Sequence, residues 1–147
     1  VYTRIAATTS GATEKIGKLT ALVKTLPQVE FVTEHLLHGG MYTRTVRLPE
    51  KALCTAVLIL PSTVLITMGT LDVWSNDELT HVAGYNVIPG AAGRKIAFLT
   101  HSEVAMSMVM PCEAETVDEA QREFTSEFEL LVPLSDVDRH RILITGE

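Results

Sequence analysis

The stretch CTAVLILPSTVLITMGTLDVW, residues 54–74, reads as two buried β-strands leading into a third, broken at Pro61–Ser62 and at Gly69. It lies within a run, residues 52–71, that carries no charge and is long enough to cross a membrane. Its composition argues against a membrane helix. Thr55, Thr63, Thr67, Thr70, Pro61 and Gly69 interrupt it, β-branched residues dominate, and the apolar runs between the breaks have strand rather than helix length.

Working outward, TEKIGKLTALVKTLP (residues 13–27) places Ile16, Leu19, Leu22, Val23 and Leu26 at helical spacing, with Thr13 as N-cap and Pro27 as the stop. The apolar stripe of this helix needs a sheet or a second subunit to cover it. After Pro27 the period changes to two. QVEFVTEHLL and MYTRTVRL form a hairpin across Gly39–Gly40. Further strands are expected at 52–60, 64–68, 70–74, 79–82, 85–88, 96–100 and 104–110, with turns at SND, PGAAG and HSE. TVDEAQREFTSEFELL then closes the domain as a helix capped by Thr116, with Val117, Ala120, Phe124 and Phe128 toward the core. Residues 1–12 form a tail or edge strand, 13–131 one domain, and 132–147 a C-terminal strand or tail. Many short strands at close spacing imply a mainly β sandwich or barrel with a helix at each end.

The chain has 147 residues, 46% hydrophobic content and a net charge of -6, which suits one folded domain. Its twelve Lys and Arg are scattered, so the basic stripe of a nucleic-acid binder is missing. VYTRIAATTSG lacks the basic segment and apolar run of a secretory signal. Cys54 and Cys112 lack metal spacing, and Cys54 reads as a small core residue. The expectation is a reduced, cytoplasmic protein without nucleic-acid or membrane partners.

The order of helix, HGGMYTRTVRLPE hairpin, paired strands, Gly69, DVW strand and GYNVIPGAAGRKIAF resembles a small single-domain cupin, a double-stranded β-helix of the jelly-roll kind, over roughly residues 15–131. It is most similar to short cupin-like proteins of phages and other mobile elements. Metal-binding cupins carry two histidines and a glutamate before a glycine, and a further histidine on a late strand. With Gly69 on the motif glycine, the first three positions fall on Leu58, Pro61 and Ser62, and the last on Met110. None suits zinc, iron or manganese, so the resemblance implies a cupin whose metal motif is lost and which needs no cofactor.

His35 and His38 are three apart on a strand and point to opposite faces, so they cannot share an ion. His81 and His101 read as surface residues and His140 as part of a charged tail; no partner is visible for any of them in the sequence. A two-residue turn at Gly39–Gly40 pairs Leu37 with Tyr42 and His35 with Arg44 on one face. That face is either an anchor for an anionic ligand or a surface packed on a helix or neighbouring subunit, with Arg44 meeting a carboxylate. Glu113, Glu115, Asp118 and Glu119 surround a helix start, where acidic residues are stabilising without catalysis.

These readings favour a non-catalytic binding or assembly protein over a metal-independent isomerase or epimerase of the sugar-modifying type. Leu58, Leu60, Val64, Ile66, Met68, Met108 and Met110 are expected to line a dry interior, either filled or holding a small apolar ligand. RILIT, the N-terminal segment, or both are expected to make a homodimer.

Overall fold

Alternating burial organises the molecule, and it is clearest in Val104–Pro111, where Val104, Met106, Met108 and Met110 are buried and the residues between them are not. The computed structural model describes residues 3–26, 31–131 and 140–147. The elements are α1 (Ser10–Val23), β1 (Val32–His38), β2 (Met41–Leu48), β3 (Leu53–Thr55), β4 (Thr63–Met68) and β5 (Leu71–Ser75). They continue with β6 (Glu78–Val82), β7 (Tyr85–Gly90), β8 (Ala97–Thr100), β9 (Val104–Pro111), α2 (Val117–Phe124) and β10 (His140–Ile144). Two sheets face each other, a six-stranded one in the order β10-β1-β2-β9-β4-β7 and a four-stranded one in the order β3-β8-β5-β6. This is the jelly-roll barrel, with β1–β10 the one parallel pair of strands among the described residues and a parallel bridge between Ile5 and Gly90 beside it.

Two turns fix the registers. Gly39 and Gly40 take φ of 59° and 73°, as a tight hairpin turn requires, and β1 and β2 pair Leu37 with Tyr42 and His35 with Arg44, as the sequence implied. Asn76 and Asp77 do the same for β5 and β6, with φ of 52° and 62°. Rows of inward side chains then cross the larger sheet, one of them His35, Arg44, Met108, Leu65 and Ile88. Leu71, Val73, Val82 and Phe98 of the smaller sheet join Tyr42, Met106, Met108 and Phe124 in the core.

Several expectations need correction. The first helix begins at Ser10, and its cap is Thr9, whose hydroxyl accepts from Ala12 N at 3.2 Å; Thr13 lies inside it. Thr9 is itself pinned, its amide donating to Asn76 Oδ1 at 2.7 Å, so a tertiary contact moved the start. Ala12 and Ile16 are buried while Leu22 and Leu26 are exposed, and the expected stop at Pro27 lies outside the described residues. The long strand expected at 52–60 shrinks to β3 and an isolated bridge between Ile59 and Arg94. Its backbone is diverted: Leu58 N donates to Glu127 Oε1 and Leu60 N to Phe124 O.

The interior lining also differs. Thr63, Leu65 and Thr67 of β4 face inward, and Val64, Ile66 and Met68 face outward. The more apolar face, Val64, Ile66 and Met68, is the outward one, so alternation points to the wrong side. Leu60 is exposed and Leu58 half-buried, whereas Met108 and Met110 do line the core. The closing helix is capped by Thr116 as expected but ends at Phe124, where Thr125 turns extended; a single 3-10 turn follows at Phe128–Leu130. Phe128 is half-buried beneath the Arg122 guanidinium, 4.1 Å from its ring centre. Cys112 is buried, Cys54 is half-buried, and both thiols are free.

Candidate functional site

β1 and β2 place His35 and Tyr42 on the inner face, 3% and 0% exposed. His35 Nδ1 lies 2.7 Å from Tyr42 Oη, and His35 Nε2 lies 2.8 Å from His140 Nδ1. The parallel pairing of β10 with β1 brings His140 to this spot, across 105 positions of chain. The rings form a column in the order His140, His35, Tyr42, Phe124, with neighbouring centres 5.1, 6.0 and 6.0 Å apart. α2 supplies Phe124, and Arg44 sits 5.9 Å from its ring centre.

Burial fixes the charges of this column. His35 is pushed down to about 3, first by burial, then by the positive charges of Arg44 and His140. His140 is also lowered, by burial and then by Arg44. The Tyr42 hydroxyl is raised by burial, against the pull of Arg44. At neutral pH the column is therefore uncharged apart from Arg44. One consistent pattern has Tyr42 Oη–H donating to His35 Nδ1 while His35 Nε2–H donates to His140 Nδ1; reversing both bonds gives the other. Switching between them moves a proton's place along the column without moving a heavy atom.

Of the residues singled out in the sequence, the structure gathers His35, Tyr42, Arg44 and Met110, the last paired with Tyr42 across β2 and β9. Leu58 and Ser62 are elsewhere, Leu58 on the segment bonded to Glu127 and Ser62 exposed ahead of β4. Arg44 meets an aromatic ring, and its Nη1 is buried without a hydrogen-bond partner. The face packs on α2 through Phe124, and the carboxylate expected opposite Arg44 is replaced by that ring.

The donors do not suit a metal ion. His35 uses both ring nitrogens within the column, its inner neighbours are Thr33, Leu37 and Arg44 with Met108 and Met110 beyond, and among the described residues no carboxylate is recorded against the column. Among the described residues no group of three or more His, Cys, Asp or Glu side chains could hold an ion.

Two further polar groups escaped the sequence reading. On the smaller sheet Asp72 Oδ1 takes His81 Nδ1 at 2.7 Å and Oδ2 takes His101 Nε2 at 2.7 Å, so both surface histidines have a partner. These two bonds hold the Asp72 carboxyl below its usual range, His101 first. Arg94, 2% exposed, donates to Ala91 O at 3.0 Å and to the Thr63 hydroxyl, and burial lowers it to about 10, still cationic at neutral pH. Its guanidinium fills the space above Gly90, where a Cβ would meet Arg94 Cζ at 2.6 Å. Neighbouring Lys95 is also buried, and it pairs with Glu127 at 2.8 Å.

The sequence matches no family model and no curated protein. Among solved structures the chain is similar to the EutQ protein of Clostridium difficile, at 15% identity over 71% of this chain and 74% of that one, with a TM-score of 0.50. It is also similar to a cupin superfamily protein from Desulfitobacterium hafniense, at 10% identity over 60% and 83% with a TM-score of 0.49. A cupin-2 domain containing protein from Shewanella frigidimarina is 12% identical over 63% and 91%, with a TM-score of 0.45. At such identities the likeness is one of fold. The strand order and this likeness show the double-sheet jelly-roll fold that the element order of the sequence led us to expect.

Proposed function

We propose that this barrel is a non-catalytic, metal-free assembly module that pairs with a second copy of itself through the outer face of its larger sheet. One observation carries the reading. Val64, Met68, Tyr85 and Val87 are 43, 53, 62 and 43% exposed on adjacent strands β4 and β7, with Ile66 and Val109 between and beside them. The outward positions of β4, β7 and β9 include no charged residue.

A chain of net charge -6 repels its twin over most of its surface, so an uncharged face is where two copies can meet. β9, β4 and β7 at ~4.8 Å spacing and about six residues at ~3.4 Å span roughly 14 by 20 Å, an apolar centre that the outer faces of β1 and β2, with Glu34 paired to Arg47, would rim to reach the roughly 800 Å² per partner of a stable interface. The edges of the sheet support the same reading. At the β7 edge Ile5 N donates to Pro89 O and Ala91 N to Ile5 O, so the N-terminal segment covers its own chain there. At the β10 edge Ile142, Leu143 and Ile144 are exposed. RILIT therefore flanks the self-interface, while the N-terminal segment is not needed for it.

Light scattering on the purified protein tests this. A dimer mass is expected at micromolar concentration, and Met68→Glu, which places a like charge opposite its symmetry mate, should weaken pairing at least ~10-fold. A monomer mass for the unaltered chain at high micromolar concentration overturns the proposal. Metal analysis of protein purified without chelator checks the other half, which a stoichiometric transition metal would refute.

The hydrogen-bonded column favours a second reading, a metal-independent sugar isomerase or epimerase using His35 and Tyr42 as base and acid. Their burial ranks it lower, because a substrate would have to reach a tyrosine that is 0% exposed. Turnover of a nucleotide-sugar that is lost in His35→Gln would reverse the order.

A further inference from the structure

We infer that β10 pairs edge to edge with β10 of a second copy, antiparallel about Leu143, so that the larger sheets of two barrels become one. Among the described residues β10 is the last strand of its sheet, with β1 on one side and no strand on the other. Edge strands are ordinarily blunted by proline, by a bulge or by several charges. This one is not. It pairs with β1 without a bulge, Ile142, Leu143 and Ile144 are exposed, and the far edge of the same sheet is closed by the chain's own Ile5.

The backbone shows which groups face the open side. Thr145 N donates to Leu37 O of β1, and the direction of amide and carbonyl alternates along a strand, so Arg141, Leu143 and Thr145 direct theirs to β1. Those of Ile142 and Ile144 point outward from the edge.

The register then selects the occupant. With Leu143 opposite its twin, Ile142 of each strand lies against Ile144 of the other, and these are the residues whose groups are free, so each pair can exchange both bonds. Arg141 falls opposite Thr145. No like charges meet along residues 141–145, although each chain carries a net charge of -6. RILIT is therefore its own complement, and a two-fold contact of this kind closes after two copies. It is separate from the face contact through β4 and β7 and joins two face-paired dimers.

Light scattering at high micromolar concentration tests the edge on its own, since so short a strand makes a weak contact. Met68→Glu, which opposes the face contact, should still give a dimer mass. Adding Ile144→Pro should halve that mass, because proline there deletes an N–H that serves only the partner and leaves the β1 pairing and the melting temperature unchanged. Cross-linking gives a reading without proline, in a Cys54→Ser background where the remaining thiol, Cys112, is buried. Diamide should join the exposed Leu143→Cys position to its twin, ~4.5 Å away between Cα atoms, and leave Ile142→Cys, which faces Ile144, unjoined. If the unaltered chain and Met68→Glu share one dimer mass that Ile144→Pro halves, the edge contact stands and the face contact falls. A monomeric Met68→Glu chain at high micromolar concentration, or equal linking at the two cysteine positions, overturns the proposal.

Discussion

Gly69→Ala is expected to destabilise the barrel by about 3 to 5 kcal/mol. Gly69 sits where the chain leaves β4 and crosses to β5, with φ of 120° and its amide donating to Gly84 O at 3.1 Å. A Cβ there would stand 2.4 Å from the backbone oxygen of Glu103 and 3.0 Å from Val104 Cγ2. Neither can retreat, because Val104 is buried at the start of β9. The substitution thus adds backbone strain to overlap with main chain. Gly40→Ala provides the contrast: φ is 73° but nothing lies within 4 Å of the added carbon, so only the conformational cost of about 1 to 2 kcal/mol applies. Urea unfolding of both variants measures the difference. Equal losses would mean that the close approach at Gly69 does not exist.

The sequence revealed structure where one residue type could do only one thing. Gly39–Gly40 sets the turn, the turn sets the pairing, and the pairing puts His35, Tyr42 and Arg44 on a single face. β9 was equally legible, because methionine and valine alternate with smaller residues over its length. β4 was not. Its inward face carries two threonines and only Leu65, while Val64, Ile66 and Met68 lie on the outer one, so the apolar alternation marked the wrong side. Helix α1 began early because Asn76, more than sixty residues away, holds Thr9 in place, and local patterning does not report such contacts.

The candidate site shows the same division. His140 looked like part of a charged tail, since a parallel strand joining distant segments leaves no turn signal to set its register. Asp72 and His81 were within reach. Asn76–Asp77 forms the same tight turn as Gly39–Gly40, and counting back from it pairs Ser75 with Glu78 and, three steps on, Asp72 with His81. His101 arrives from β8 by a sheet pairing that no turn specifies. Arg94 went unnoticed for a different reason. A charged residue after a glycine-rich turn is ordinarily solvated, and its burial depends on the gap that Gly90 leaves for it.

Acidification should weaken the fold well above the carboxylate range, through His35. Its pKa falls from 6.5 to about 3 on folding, so between those values the unfolded chain binds a proton that the folded chain refuses. Stability is therefore fully present above pH ~6.5 and declines by about 1.4 kcal/mol per pH unit below it, reaching a loss of roughly 2 to 3 kcal/mol at pH ~4.5. His140, lowered in the same direction, adds to the slope. Asp72 acts in a lower window: its depressed carboxyl contributes stability that is lost only as pH falls through its folded value, so the two effects separate. Three groups set the response of His35. Tyr42 and His140 occupy its ring nitrogens, and Arg44 opposes a second positive charge beside it. His35→Gln removes the titration while leaving a group that can still hydrogen-bond Tyr42. This variant starts less stable at pH 7.5, because the ring column loses a member, but its unfolding free energy should fall much less between pH 7 and 5. Parallel curves for the variant and the unaltered chain would show that the imidazole accepts a proton where it stands, and that the column opens to water.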